Sequence, residues 1–228
     1  PGILRSDMSV ALDLARNFRR NILGQGIVSY WKDFRDGELE NIALYIFHDI
    51  QKCKYYFPDM PIQSLEIPPV GNPWGLSMGS NLIVPDAPRH YTHARILGHI
   101  LDSFTEKQRP IILELGSGYG GVPYFYHMYG NQHSGEHRYI YILCDLVPVL
   151  TVALYFLMGA LSRGTDCSPT IANVYSGSSR EIQEMIANPE VNIVLLPTRF
   201  LNCLYDTEID VFYNANSMSE MSWEDCNN

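Results

Sequence analysis

The chain of 228 residues has few charged residues and no strongly basic segment. Charged residues make up 18% of the sequence, below the roughly 25% of an average soluble domain. The 16 Lys and Arg are outnumbered by 25 Asp and Glu, which leaves a formal net charge of −9. Because nucleic-acid binding depends on clustered Lys and Arg, this balance argues against nucleic acid as the main partner.

The sequence also lacks the marks of a secreted or membrane protein. Its five cysteines are odd in number and widely spaced, without a Cys-x-x-Cys pair, an Asn-x-Ser/Thr sequon or an N-terminal signal peptide. These features predict free thiols in a reducing compartment, and therefore a cytoplasmic protein. The longest uncharged apolar stretch, 146–162, is shorter than the roughly 20 residues of a membrane span. We interpret it as a buried helix and expect no membrane partner.

Hydrophobic periodicity divides the chain into two regions. Residues 1–105 have a helical pattern, whereas residues 106–228 alternate continuous apolar runs with helical stretches, as in a parallel sheet covered on both faces. Helices are predicted at 7–23, 38–56, 86–104, 120–129, 148–161 and 178–187, a proline-rich extended connector at 58–73, and strands at 111–115, 139–144, 192–196 and 209–213. We therefore predict an α/β fold: a doubly wound, mostly parallel, Rossmann-like sheet with an N-terminal helical region.

The predicted sheet has few strands. Only four are visible, and the chain stops shortly after the last one. Most open sheets of this type have more strands, so we expect either a chain truncated at its C-terminus or a partner that completes the fold. The sequence does not decide whether the chain forms a homo-oligomer.

A glycine-rich sequence, ELGSGYGG at 114–121, follows the first predicted strand of the sheet. Glycine lets the backbone approach a ligand closely, and the free N–H groups of the following helix favour polar or anionic groups. The sequence therefore predicts a ligand site at the carboxyl edge of the sheet, near a topological switch.

One ligand class that fits this turn is a dinucleotide. Gly116, Gly118 and Gly121 satisfy the pattern G-x-G-x-x-G. An acid is then expected about 20 residues further on, whereas Asp145 lies 27 residues after Gly118. An NAD-type oxidoreductase is therefore an alternative function.

A second pattern places Glu114 two residues before a G-x-G-x-G turn made by Gly116, Gly118 and Gly120, with Asp145 at the end of the next strand. The carboxylate of Asp145 can accept hydrogen bonds from both hydroxyls of a ribose. This pattern resembles the nucleotide-binding half of class I S-adenosylmethionine (SAM)-dependent methyltransferases.

Further motifs narrow the resemblance to the sugar O-methyltransferase family within that superfamily. They occur in order over about residues 70–221 and are GNPWG at 71–75, His90-Tyr91, ILELGSGYGG at 112–121, Cys144-Asp145-Leu146 and NANSMSEM at 214–221. The domain of this family continues past the last block, and this chain does not.

The resemblance implies SAM as the cofactor, and a hydroxyl of a sugar, a glycan or a glycosylated metabolite as the methyl acceptor. It implies that the glycine turn passes under the methionine and ribose of SAM, that Asp145 binds the ribose hydroxyls and that Thr198 contacts adenine. Alternatively, Asp145 is a helix N-cap, a less favoured interpretation, and Thr198 belongs to a simple turn. The expected cofactor-binding residues are Glu114, Gly116, Ser117, Gly118, Gly120, Asp145, Leu146, Thr198, Asn214 and Asn216; no metal ligand is expected.

Methyl transfer to a sugar hydroxyl calls for a general base or a metal, because the hydroxyl is a poor nucleophile at neutral pH. The candidate catalytic residues are Glu220 and His90. Glu220 is better explained as a capping-box residue three positions after Ser217, and a helix histidine is more often a surface or core residue. Asn214 and Asn216 are expected beside the reactive methyl group, or equally in a turn and N-cap.

Two other features carry less weight. GLSMG at 75–79 matches the G-x-S-x-G hydrolase elbow but follows a proline-rich segment instead of a core strand. The stretch containing His127, His133, Glu136 and His137 is predicted to be a solvated loop at the opposite sheet edge, with metal binding less favoured. Besides the oxidoreductase, a non-catalytic methyltransferase-like binding or scaffold module remains an alternative.

Overall fold

The computed structural model describes residues 39–73, 75–104, 107–130, 139–162 and 169–215, which form an α/β fold. The predicted helix 7–23 lies outside these residues. The elements in chain order are α1 (Leu39–Tyr56), β1 (Leu76–Met78), β2 (Asn81–Ile83), α2 (Ala87–Phe104), β3 (Ile111–Leu115), α3 (Gly121–Phe125), β4 (Ile140–Asp145), α4 (Val147–Leu161), β5 (Thr170–Asn173), α5 (Ser179–Ala187), β6 (Val191–Pro197) and β7 (Val211–Tyr213). Short 3₁₀ helices occupy Ile62–Leu65 and Thr198–Leu204, and a π-helix, Tyr126–Gly130, continues α3.

Five strands form one parallel sheet in the order β5-β6-β4-β3-β7. Helices cover both faces, so the predicted Rossmann-like arrangement is confirmed. Its strands are continuous apolar runs because both faces are buried; all but the last residue of β4 are buried. The strands β1 and β2 form a separate antiparallel hairpin.

Side chains that alternate along the strands belong to two hydrophobic clusters, one on each face of the sheet. One face contributes residues such as Ile112 and Tyr141 to a cluster shared with α1, α2, α3 and α4. The opposite face contributes Leu113 and Ile142 to a cluster shared with α5 and the 3₁₀ helix Thr198–Leu204. The N-terminal helices α1 and α2 therefore pack in the same core as one face of the sheet.

The order of the strands creates a topological switch at β3. The chain leaves β3 for β4 on one side and later returns to β7 on the other side. In the register of the sheet, Leu115 pairs with Cys144 and Asp145 pairs with Pro197, so the carboxyl ends of these strands lie at one edge. Open parallel sheets bind ligands in the crevice at such a point.

Several elements differ from their sequence-based predictions. The strand β5, Thr170–Asn173, was not predicted, because it is a half-exposed edge strand with little apolar character. The proline-rich connector was predicted to be extended, but it contains the 3₁₀ helix Ile62–Leu65. Pro61 directly precedes this helix and does not disrupt it. The helix α4 is buried on one face only, with Tyr155 and Met158 exposed on the other. None of the described helices has the length and hydrophobicity of a membrane span.

The connector between α1 and the hairpin lies against α4 at a glycine. A Cβ atom added at Gly159 would lie 3.1 Å from Cγ2 of Val70. This distance is tighter than ordinary van der Waals contact, so the absence of a side chain at Gly159 sets how closely the connector approaches the helix.

The side chain of Arg109 joins the chain before β3 to the segment between α5 and β6. Its guanidinium donates hydrogen bonds to the carbonyl oxygens of Ile186 and Asn188, at 2.5 and 2.7 Å, and to that of Val191. One planar cation thereby binds carbonyl groups at the end of a helix and at the start of the next strand.

We predict that Arg109→Ala lowers the free energy of unfolding by about 1–2 kcal/mol, the range for hydrogen bonds made by a partly exposed charged group. Urea denaturation followed by circular dichroism measures this change. The control is Arg180→Ala, which removes an exposed pair with Glu184 and should leave the urea midpoint unchanged. Equal urea midpoints for wild type and Arg109→Ala would show that these hydrogen bonds do not stabilise the fold.

Candidate functional site

The glycine-rich segment forms a sharp turn between β3 and α3. Gly116, Gly118 and Gly120 have φ angles of 73°, 55° and 88°, in the left-handed region that favours glycine. The N–H of Gly116 donates to the carbonyl of Cys144 at 2.8 Å, which ties the turn to the end of β4. No atom of the described residues lies within 4 Å of a Cβ atom added at Gly118, so none of them fills the space over the centre of the turn.

Asp145, at the carboxyl end of β4, binds this turn directly. Its Oδ2 accepts a hydrogen bond of 2.9 Å from the N–H of Gly118, and its Oδ1 accepts one of 2.7 Å from the N–H of Leu146. Burial raises the pKa of the Asp145 carboxyl, and these two N–H groups oppose the shift. The N-cap position of α4 is Leu146, not Asp145. Because a carboxylate has about four acceptor sites, Asp145 retains acceptor capacity for further donors.

Three other predicted residues lie at the carboxyl ends of the sheet strands. Asn214 follows β7 and donates from Nδ2 to the carbonyl of Leu115 at 2.7 Å, which brings it to the start of the glycine turn. Leu146 follows β4 and is 61% exposed. Thr198 follows β6, begins a 3₁₀ helix and is half-buried. Asn216 and Glu220 lie outside the described residues.

The carboxyl group of Glu114 is enclosed below the turn. Its residue is 2% exposed, and Oε2 accepts a hydrogen bond of 3.0 Å from the hydroxyl of Tyr141 on the neighbouring strand. Burial, aided by the nearby charge of Asp145, raises the pKa of Glu114 to about 8, against the hydrogen bond from Tyr141. Glu114 is therefore largely protonated at neutral pH.

A polar atom in the turn is buried without a hydrogen bond. Ser117 is 7% exposed, and its Oγ has no hydrogen-bond partner among the residues that the structure describes. Buried hydroxyl groups are normally hydrogen-bonded, so an unsatisfied one is expected to have a function or a missing partner. Here it belongs to the turn that faces open space.

The helix α2 lies over the turn and contributes His90. A Cβ atom at Gly121 would lie 2.1 Å from Nδ1 of His90, so the imidazole covers the first residue of α3. Asp86 and Tyr119 contact each other beside this ring at 2.6 Å. Sequence analysis did not include these two residues in the site. The position of Asp86, directly before α2 and four residues before His90, was the available signal.

A second histidine of α2 contacts the end of β7. Nδ1 of His93 lies 2.5 Å from the hydroxyl of Tyr213. Burial, together with the charge of Arg89, lowers the pKa of His93 to about 4. Neither His93 nor Tyr213 was predicted from the sequence, because their proximity depends on how α2 packs against the sheet.

The GLSMG motif and the histidine-rich stretch, which were given less weight, compare differently with their predictions. Ser77 lies in the exposed hairpin strand β1, so GLSMG lacks the strand–turn–helix context of a hydrolase elbow. The predicted solvated position of His127 is wrong: the residue is 1% exposed, and Nδ1 contacts the hydroxyl of Tyr139 at 2.7 Å. His133, Glu136 and His137 lie outside the described residues.

Metal binding has no support from the described parts of the chain, which contain no group of three or more His, Cys, Asp or Glu residues placed to hold an ion. The turn and its neighbours offer backbone N–H groups, carboxyl groups, hydroxyl groups and imidazoles. These groups suit a polar organic ligand.

The raised pKa of Glu114 predicts a pH-dependent stability. Between the ordinary value of 4.5 and the folded value of about 8, the folded state keeps a proton that the unfolded chain loses. The free energy of unfolding should therefore fall as pH rises through this interval and level off above it. The uncharged variant Glu114→Gln should reduce this decline, as measured by urea denaturation at pH 5, 6.5 and 8. Parallel pH dependences of wild type and variant would show that Glu114 is ionised in both states.

Comparison with known proteins assigns no family to this chain. No protein-family model matches it, and no significant match was found among curated proteins. The resemblance to sugar O-methyltransferases therefore stays a prediction from sequence motifs, and the geometry of the site has to support any function.

Proposed function

We propose that this protein is a SAM-dependent O-methyltransferase that acts on a hydroxyl of a sugar or of a glycosylated metabolite. The observation that carries the proposal is the contact between the carboxylate of Asp145 and the turn formed by Gly116, Gly118 and Gly120. This contact brings an acceptor for ribose hydroxyls next to a backbone that a ligand can approach closely.

The residues at this edge fit the parts of SAM. Asp145 would bind the two ribose hydroxyls, and the exposed side chain of Leu146 offers an apolar surface to adenine beside the half-buried Thr198. The unsatisfied hydroxyl of Ser117 lies in the turn that would pass under the ligand. Asn214 lies at the neighbouring strand end. These groups have the mixture of apolar and polar contacts that cofactor sites use.

Bound SAM would supply a methyl group activated by its attachment to a sulfonium. The protein would have to align the acceptor oxygen with that carbon, which is the main source of catalysis in such a displacement. The sugar acceptor rests on the resemblance alone, through the blocks at 71–75 and 214–221.

The geometry gives less support to a dinucleotide. In that class a pyrophosphate takes the N–H groups of the glycine turn and of the following helix. Here the N–H of Gly118 is already bound by a carboxylate, and the imidazole of His90 lies on the first residue of α3. Phosphate would have to displace Asp145 and approach a second carboxyl group, that of Asp86.

The substitution Gly118→Ala should abolish or strongly weaken SAM binding, because the new methyl group enters the space above the turn. Gly79→Ala is a matched control in the hairpin, since Gly79 also has a positive φ and open space around its Cβ position. Both variants share the conformational cost of about 1 kcal/mol or more. Isothermal titration calorimetry with SAM measures the difference. Equal affinities of the two variants would place the ligand elsewhere.

The substitution Asp145→Ala should weaken SAM binding by about 10- to 100-fold, as expected for hydrogen bonds to a charged group. Asp206→Ala, which removes an exposed carboxylate after the 3₁₀ helix, should leave the affinity unchanged. Separate titrations with SAM and NAD, with thermal melting as the test of folding, distinguish the two ligand classes. Tight NAD binding without SAM binding would replace the proposed function by an oxidoreductase.

A further inference from the structure

Arg89, in the first turn of α2, differs from the other arginines that the structure describes. Within those parts of the chain it is the one arginine that forms no hydrogen bond, salt bridge or ring contact. The other four bind polar groups or lie over an aromatic ring, namely Arg95, Arg109, Arg180 and Arg199. Arg89 is nevertheless partly buried. A guanidinium that is withdrawn from water is normally paired, so Arg89 is a candidate for binding an anion.

The side chain of Arg89 belongs to a polar group above the end of β7. His93 lies four residues further along α2 and therefore on the same face of the helix. Its Nδ1 is 2.5 Å from the hydroxyl of Tyr213, the last residue of β7. Burial lowers the pKa of His93 and raises that of Tyr213; the charge of Arg89 adds to the first shift and opposes the second. The guanidinium is therefore close enough for its charge to act on both rings.

Arg89 carries the charge of this group at neutral pH. The pKa of His93 is about 4, so its imidazole is neutral, and the phenol of Tyr213 keeps its proton. Three carboxyl groups of the surrounding elements have other hydrogen-bond partners: Lys52 for Asp49, Tyr119 for Asp86 and Tyr141 for Glu114. None of the described residues neutralises the guanidinium through a salt bridge, so its charge is available to a ligand.

This group lies on the acceptor side of the proposed cofactor site. The strands β4 and β7 flank β3 on opposite sides, so Asp145 and Tyr213 end strands that are about 10 Å apart. Asp145 would bind the ribose, whereas Asn214, which directly follows Tyr213, is expected beside the reactive methyl group. The amide of Asn214 binds the carbonyl of Leu115 at the start of the glycine turn. A sugar that receives the methyl group would therefore come next to the end of β7 and α2.

We propose that the acceptor is an anionic sugar and that the guanidinium of Arg89 binds its negatively charged group. This inference rests on the proposed function and names its class of acceptor. A planar guanidinium can donate two parallel hydrogen bonds to a carboxylate or to a phosphate. His93 and Tyr213 lie beside it as neutral polar groups. The carboxyl groups around the glycine turn suit the cationic sulfonium of SAM, so the two ends of the site favour opposite charges.

The test compares matched neutral and anionic sugars by NMR titration of the wild type. Methyl glucoside is compared with methyl glucuronoside and with the 6-phosphate of methyl glucoside, and the corresponding galactosides form a second series. In at least one series, an anionic sugar should bind about 10-fold more tightly than the neutral one. A preference for the uronate identifies a carboxylate, and a preference for the phosphate identifies a phosphoryl group; both support the inference. Equal affinities for neutral and anionic sugars in both series would overturn it.

Arg89→Gln removes the charge and keeps an amide that can form hydrogen bonds. It should lower the affinity for the preferred anionic sugar by about 10- to 100-fold and leave that for the neutral sugar unchanged. The control Arg180→Gln removes the same charge from the exposed surface of α5 and should bind both sugars as the wild type does. Thermal melting tests whether the variants are folded. An undiminished preference for the anionic sugar in Arg89→Gln would overturn the role of Arg89.

Calorimetric titration with SAM separates this inference from the proposed function. SAM also carries a carboxylate, and Arg89→Gln should leave the affinity for SAM unchanged because its guanidinium binds the acceptor. A loss of SAM affinity in this variant would assign Arg89 to the cofactor and overturn the inference. Failure of the wild type to bind SAM would instead refute the proposed function, whereas the sugar titrations require no cofactor.

Discussion

The arrangement of this site depends on the hydrogen bond between the carboxylate of Asp145 and the backbone N–H of Gly118. It connects the ends of two adjacent parallel strands, β3 and β4, at the edge where the strand order switches direction. The side chain can reach the turn because Leu115 pairs with Cys144, which puts Asp145 beside the start of the glycine turn. The sheet register therefore sets the position of the acid.

Three carboxyl groups, those of Glu114, Asp145 and Asp86, lie around the turn in different surroundings. Glu114 lies in the core below, where burial favours its neutral form. Burial also raises the pKa of Asp145, but its two backbone hydrogen bonds oppose the shift, and Asp86 accepts a hydrogen bond from the hydroxyl of Tyr119. Shifted pKa values of this kind are common at functional sites. A cationic ligand suits such surroundings better than an anionic one.

Local sequence signals were sufficient for β3, β4, β6 and β7 of the sheet and for the glycine turn. The runs that became β3 and β4 are continuous, apolar and followed by Gly116 or closed by Asp145, so their ends were readable without tertiary information. The edge strand β5 lacked that signal, since only Ile171 among its four residues is strongly apolar. The prediction for His127 failed because a π-helix turns the side chain into the core, where it meets Tyr139. The contacts of His90 with Gly121 and Tyr119 depend on the packing of α2 on the turn and could not be derived from spacing.

The glycine at position 159 has a consequence for the region above the sheet. At this point Val70 of the connector lies against α4. The chain then continues into the hairpin and reaches Asp86, directly before α2. A methyl group at 159 would require the side chain of Val70 to move by a few tenths of an ångström. The close approach of the connector to α4 therefore depends on a residue without a side chain.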